Sequence, residues 1–197
     1  MIFTTQRNRS KQVAVIWLLL MPSLFLLAAG GERIDEELRR AAIKGNANKV
    51  KMLLNEGANV NFKHRGWTIL MDVAREGHSE VAKILLEHGA DVNAKGTGGG
   101  GKWSGATALT IAAEKGHVEI VKLLISYRAN VNVSNNNGDT ALMYAAEYGH
   151  PEILKTLLEA GANVSLKDKD GETALMIAKR KGHPQIIQML EKAGAKE

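Results

Sequence analysis

Three short phrases recur along this chain at a nearly constant interval of 33 residues. The phrase Gly-x-Thr-x-Leu begins at glycines that are 39, 33 and 33 residues apart, namely Gly66, Gly105, Gly138 and Gly171. Gly-His follows each copy in step, and Gly-Ala-Asn/Asp-Val-Asn or a close variant begins at Gly57, Gly89, Arg128 and Gly161. A fixed period of this length predicts similar units stacked side by side, each completing its core against its neighbours.

Each phrase predicts one part of the unit. The threonines stand where a side-chain hydroxyl caps the start of a helix, and the glycine of Gly-His supplies the left-handed conformation in which helices often end. A second helix follows, with aliphatic residues such as Ile153, Leu154 and Leu157 on one face. Its closing Gly-Ala pair leads into a β-hairpin with a tip such as Asn136-Asn137-Gly138.

These phrases and their period resemble the ankyrin repeat over residues 33–197. Where that family has Thr-Pro-Leu-His, this chain replaces the proline by isoleucine or alanine and the histidine by Met71, Thr110, Met143 and Met176. The resemblance implies an all-α repeat solenoid of five stacked helix-turn-helix repeats with β-hairpin loops. The repeats are roughly 33–61, 62–94, 95–133, 134–166 and 167–197.

Two residues depart from the repeat pattern in ways that carry predictions. Glu191 stands where earlier repeats have an aliphatic residue, which fits a last helix with no neighbour to bury against. Arg128 stands where the other repeats have the helix-ending glycine, so we predict a strained left-handed backbone at that arginine.

The first thirty residues predict export. Three basic residues precede an apolar run from Val13 to Ala29, and small residues follow that run. This order is that of a secretory signal peptide over residues 1–30, which leaves an ankyrin-repeat domain over 31–197. The alternative is an uncleaved membrane anchor through residues 13–29, although this run is short for a span and contains Pro22. Both interpretations place the repeats outside the cytoplasm, either periplasmic or secreted.

The 39-residue spacing reflects a glycine-rich insertion at 96–101. Gly96–Gly101 and Lys102 formally match the start of a phosphate-binding loop, but Trp103 stands where a Ser or Thr would hold magnesium. The segment also lies in a hairpin tip, where that motif lacks its strand and helix. We therefore favour a mobile finger and keep a nucleotide-binding or enzymatic role as the alternative. No cofactor is predicted.

The histidines do not predict a metal site. Four of the six hold the same place in successive repeats, His78, His117, His150 and His183. Packed helices lie about 8–10 Å apart, whereas zinc–nitrogen bonds are about 2.0–2.1 Å long, so this row cannot converge on one ion. We predict instead that these side chains fix loops by hydrogen bonds. The sequence has no cysteine and no recognisable catalytic motif, so it predicts a protein that is not an enzyme.

The charge balance disfavours nucleic acid as the partner. The formal net charge is +5, but three basic residues and no acid lie in the first thirty residues, which leaves 23 basic and 21 acidic residues elsewhere. Nucleic-acid binders usually present a strong basic stripe. The basic run 179–181 predicts either solvated surface or a site for an acidic partner.

The resemblance implies that a monomer binds another protein on a concave face built from hairpin tips and first helices. The residues that the family pattern places on this face flank the hairpin glycine or precede Gly-His. They are Arg65, Trp67, Arg75, Glu76, Ser104, Ala106, Glu114, Lys115, Asn136, Asn137, Asp139, Glu147, Tyr148, Lys169, Asp170, Glu172, Arg180 and Lys181.

Trp103 joins this set because it and Trp67 fall in hairpins, where no core is available to bury them. Exposed aromatic residues are typical of interface hot spots. The alternative is that the two rings pack against a neighbouring hairpin or the glycine-rich insertion.

Overall fold

The computed structural model describes residues 33–97 and 103–196. The helices within these ranges come in five pairs joined by short turns. The pairs are α1 (33–43) with α2 (Ala47–Asn55), α3 (Ile69–Glu76) with α4 (Ser79–Glu87), α5 (Ala108–Lys115) with α6 (Val118–Ser126), α7 (Ala141–Glu147) with α8 (Pro151–Glu159), and α9 (Ala174–Lys181) with α10 (Pro184–Lys192). The chain is an all-α repeat solenoid, as predicted.

The helices form two layers. The first helices of successive pairs pack against one another more closely than the second helices do. Alanines make this close approach possible, because Ala112, Ala113, Ala145 and Ala146 are all fully buried. A single hydrophobic core extends from Leu38 to Ala195 through all the pairs. The closer packing of the first helices places them on the inner side of the stack.

The threonine caps are present as predicted. The hydroxyl oxygens of Thr68, Thr107, Thr140 and Thr173 each accept a hydrogen bond from the backbone N–H three residues on. Thr110 adds a second bond, because its hydroxyl accepts from the backbone N–H of Thr107 at 3.3 Å. Thr110 stands where the family has histidine, and here it completes a reciprocal capping box.

The Gly-His pairs link each repeat to the one before it. Gly77, Gly116, Gly149 and Gly182 all have φ between 74° and 86°, the predicted left-handed conformation. The ring N–H of each following histidine donates to a backbone carbonyl of the preceding repeat. These bonds are His78 to Ile43 at 2.9 Å, His117 to Arg75 at 3.2 Å, His150 to Glu114 at 3.1 Å and His183 to Glu147 at 3.2 Å. The predicted loop-fixing role is confirmed.

A second set of links joins the loops that follow the second helices. The side chain of Asn61 accepts from the N–H of Asp91 at 2.8 Å and donates to the carbonyl of Gly89 at 3.1 Å. Asn93 and Asn132 make the corresponding bonds to the next repeat. This ladder gives a structural reason for the final asparagine of the Gly-Ala-Asn/Asp-Val-Asn phrase, which the sequence interpretation left without one.

Within residues 33–97 and 103–196, two non-glycine residues have left-handed backbones, and both are arginines. Arg128 has φ of 64°, which confirms the prediction for that position. Arg65, with φ of 51°, was not predicted. It lies at the tip of the hairpin in which strand β1 (Lys63–His64) pairs with β2 (Trp67–Thr68). Only Arg65 and Gly66 connect these strands, and such a two-residue turn matches the strand twist when φ is positive at both positions.

The base of the glycine-rich insertion is ordered by backbone hydrogen bonds. The N–H of Gly96 donates to the carbonyl of Ala106 at 2.9 Å, and the carbonyl of Gly96 accepts from Gly105 at 2.8 Å. Gly96 is buried, so the insertion does not begin as a free loop. The remainder of the proposed finger and Lys102, at 98–102, lies outside the described residues.

The leader that predicts export, residues 1–30, also lies outside the described part of the chain, which begins at residue 33. Within 33–97 and 103–196, none of the helices has the length and apolar character needed to cross a membrane.

Candidate partner-binding face

The residues predicted to bind a partner differ in accessibility. The exposed group consists of Arg65, Arg75, Glu76, Lys115, Asn136, Asn137, Tyr148, Lys169, Asp170, Arg180 and Lys181. The half-buried group consists of Trp67, Trp103, Ser104, Asp139, Glu147 and Glu172. Together these two groups define the inner face, which runs along the hairpin tips and the ends of the first helices.

Two predicted residues do not belong to this face. Ala106 is 1% exposed and Glu114 is 5% exposed. Ala106 lies under the hairpin where its carbonyl accepts from Gly96, and the Glu114 carboxylate lies 3.3 Å from Lys115 Nζ. Neither side chain is accessible to a partner, although the family pattern places both positions on the surface.

Four aromatic side chains cross three repeats of the inner face, and we call them the aromatic row. Trp67 meets Trp103 edge to face with ring centroids 5.9 Å apart, and Trp103 stacks on Tyr144 at 6.4 Å. Tyr144 in turn stacks on Tyr148 at 6.4 Å. Aromatic pairs at these separations stabilise one another by about 0.5–1.5 kcal/mol beyond their buried area. The two tryptophans therefore pack against the neighbouring hairpin while keeping part of each ring at the surface.

Cations cover the tryptophans from the first helices. The guanidinium carbon of Arg75 lies 5.7 Å from the centre of the Trp67 ring, and Nζ of Lys115 lies 5.6 Å from that of Trp103. At this distance a cation is attracted to the ring face by about 0.5–1 kcal/mol at an exposed site. The rings and cations are thereby held in a fixed alternating arrangement, which lowers the entropic cost of binding to them.

Tyr144 is anchored beneath the row by a polar network. Its hydroxyl lies 3.2 Å from Oδ2 of Asp139 and accepts from Nδ2 of Asn135 at 3.1 Å. Burial raises the pKa of Tyr144 above the ordinary range of a phenol, and the Asp139 carboxylate adds to this effect. The hydroxyl consequently stays protonated and donates to Asp139. The network fixes the ring on which Trp103 stacks.

The basic run 179–181 is neutralised within the protein. Arg180 makes two hydrogen bonds to the carboxylate of Glu172, at 3.0 and 2.7 Å, and these bonds raise the pKa of Arg180. Lys181 lies 3.0 Å from Glu147, and Lys179 lies 3.9 Å from Glu191. These contacts favour the interpretation of the run as paired surface charge over that of an acidic-partner site.

Sequence reasoning missed Asp72 and Tyr144, which occupy the same place in the first helices of the second and fourth repeats, α3 and α7. Ile111 and Ile177 hold this place in the third and fifth repeats. Asp72 is 2% exposed, and its carboxylate accepts from Nε of Arg39 at 2.7 Å. The available signal for a specific network under the inner face was a polar residue at a position that is isoleucine in the third and fifth repeats.

Comparison with known families agrees with this architecture. Ankyrin repeats in three copies match residues 24–96 and 98–168, ankyrin repeats in many copies match 70–125, and a single ankyrin repeat matches 170–196. No curated protein matches the chain. The chain belongs to the ankyrin-repeat family. Ankyrin repeats are generally protein–protein interaction modules, and their family members are typically non-catalytic.

Proposed function

We propose that this protein is an exported interaction module that holds a partner protein on its inner face. The observation that supports this proposal most strongly is the aromatic row, which places parts of two tryptophans and an exposed tyrosine on one surface. Tryptophan, tyrosine and arginine dominate the binding energy of protein interfaces, and Arg75 lies against the same row. The row spans three repeats and its rings pack against one another, so a partner that covers it contacts side chains that are already held in place.

A matched pair of tyrosines tests whether the inner face is the binding surface. Tyr148 is 44% exposed in the aromatic row, whereas Tyr127 is 37% exposed at the end of α6, away from the inner face. We expect Tyr148→Ala to reduce capture of the partner from an extract of the native host and Tyr127→Ala to leave it unchanged. Quantitative mass spectrometry of the captured proteins measures both. Equal capture of the partner by the two variants would contradict binding on the inner face.

Export is the second part of the proposal, and it is supported by the basic, apolar and small-residue order of the leader. Removal of a signal peptide at the predicted boundary shortens the protein by about 30 residues, the length of the leader. The intact mass of the protein from its native host measures this change. Full-length protein recovered from the soluble cytoplasm would contradict both the signal peptide and the anchor.

A further inference from the structure

Charge is distributed unevenly along the inner face. We call the described hairpins and first helices of the second and third repeats, residues 62–76, 94–97 and 103–115, the basic half. They contain five basic residues and three acidic ones, whereas the corresponding segments 133–148 and 166–181 contain five of each. The basic half is also where both tryptophans of the aromatic row lie.

The excess of basic over acidic residues is larger at the surface, because most of the acidic residues are buried. Of the three acidic residues, Asp72 and Glu114 are 2% and 5% exposed, so Glu76 is the one exposed acid among the described residues of the basic half. The exposed cations in the same residues are Lys63, Arg65, Arg75, Lys95 and Lys115. Glu76 engages Arg75 at 2.9 Å. Because interacting surfaces carry complementary charge, a partner of this surface is expected to be acidic.

Arg65 is held at the hairpin tip in a backbone conformation that disfavours side chains. Its φ of 51° is unfavourable for a residue with a β-carbon, and residues held in sparsely populated conformations cluster at functional sites. The hairpin thus carries an exposed guanidinium two residues before Trp67.

The tryptophan rings favour a protein segment over nucleic acid. Proteins that bind single strands stack bases on open aromatic faces. Here Arg75 covers the Trp67 ring, and Lys115 and Tyr144 both contact the Trp103 ring. Such rings offer apolar edges beside cations. The edges suit apolar side chains, and the cations suit carboxylates next to them.

We propose that the basic half binds an extended acidic segment of the partner protein. A carboxylate of this segment pairs with Arg65, and an apolar residue beside it packs on the edges of Trp67 and Trp103, next to Arg75 and Lys115. This inference rests on the proposed function of the inner face and specifies the chemistry of its partner.

Selection from a random peptide library tests the chemistry without knowledge of the partner. The full chain, kept in detergent micelles, selects from displayed peptides of about 12 residues, a length that an extended recognition segment can fill. We expect the selected pool to contain about twice as much Asp and Glu as the starting library, because the cations of the basic half repel basic peptides. Binding of the selected peptides should weaken as salt is raised.

Two arginine variants provide a matched control. Arg65→Gly and Arg128→Gly both remove an exposed cation from a left-handed position, but Arg128 follows the second helix α6 and lies off the inner face. Both variants should unfold at the same or a higher urea concentration than the parent. We expect Arg65→Gly to weaken binding of the selected peptides about fivefold, the upper effect of losing one exposed ion pair, and Arg128→Gly to leave their binding unchanged.

Several results would overturn this inference. The first three are a selected pool that is not enriched in Asp and Glu, no selected peptide at all, and unchanged peptide affinity in Arg65→Gly. The fourth is tighter binding of an oligothymidylate than of the peptides. An oligothymidylate of about 12 nucleotides is used because a strand of that length fills a single-strand site. The proposed function fails separately, when Tyr148→Ala captures the natural partner as well as the parent protein does.

Discussion

Gly116→Ala should destabilise the protein by about 2–3 kcal/mol, and Gly182→Ala by only about 1 kcal/mol. Both glycines end a first helix in the left-handed conformation, with φ of 80° and 75°. The difference arises from the next repeat. A β-carbon on Gly116 would lie 2.8 Å from Cε1 of His150, whereas none of the described atoms lies within 4 Å of one on Gly182.

The two substitutions separate backbone strain from the contact between repeats. Each alanine strains the left-handed backbone by about 1 kcal/mol, but only Gly116→Ala also displaces the His150 ring and weakens its bond to the Glu114 carbonyl. Losing a buried hydrogen bond costs about 1–3 kcal/mol. Urea unfolding measures both free energies. In a His150→Ala background the cost of Gly116→Ala should fall to that of Gly182→Ala. Equal costs in the parent protein would contradict this explanation.

Asn135→Ala should destabilise the protein by about 2–4 kcal/mol, because a buried polar network loses its central member. Asn135 is 5% exposed. Its side-chain oxygen accepts from the backbone N–H groups of Asn137 and Asp139 at 2.8 and 2.9 Å, and its amide donates to Asp139 and to the Tyr144 hydroxyl. Alanine at this position removes bonds from two buried or half-buried side chains and from the hairpin backbone.

Asp168 is the matched control, because it holds the same place in the last repeat. Its carboxylate accepts from the N–H groups of Asp170 and Glu172 at 2.9 and 2.8 Å, but it is half-buried and the tyrosine position is Ile177. Asp168→Ala should therefore cost about 1 kcal/mol, the net value of an ordinary hydrogen-bonded turn. Urea unfolding compares the two variants. A larger loss for Asp168→Ala would show that the network under Tyr144 contributes little.

The repeat period was sufficient to predict most of the fold. The threonine caps and the left-handed Arg128 depend on local rules of helix starts and helix ends, and those rules apply wherever the phrases occur. The histidine bonds followed from regular stacking, because a residue repeated at one interval meets the same neighbour in each repeat.

The features that escaped prediction depend on irregularities between repeats. Gly57 and Gly66 are nine residues apart, whereas Arg128 and Gly138 are ten apart. The shorter spacing accompanies the two-residue turn at Arg65 and Gly66, where both φ angles are positive, but the spacing alone does not say which residues adopt this conformation. Burial of Gly96 depends likewise on tertiary hydrogen bonds across the insertion.

The binding role of the inner face stays a prediction, and the structure bears only on the accessibility of its residues. Family resemblance selected surface positions, and most of them are accessible. It could not select Tyr144, because this residue acts from beneath the surface by holding the ring on which Trp103 stacks. It also did not exclude Ala106 and Glu114, which are only 1% and 5% exposed in the folded protein.

The affinity of the isolated partner for the tyrosine variants tests the central claim most directly. Titration of the purified partner against the protein, Tyr148→Ala and Tyr127→Ala yields three dissociation constants under one set of conditions. An interface aromatic residue contributes more than about 1.4 kcal/mol, or tenfold in affinity. We predict at least this loss for Tyr148→Ala and no change for Tyr127→Ala. Equal affinities for the two variants, or a loss confined to Tyr127→Ala, would contradict binding on the inner face.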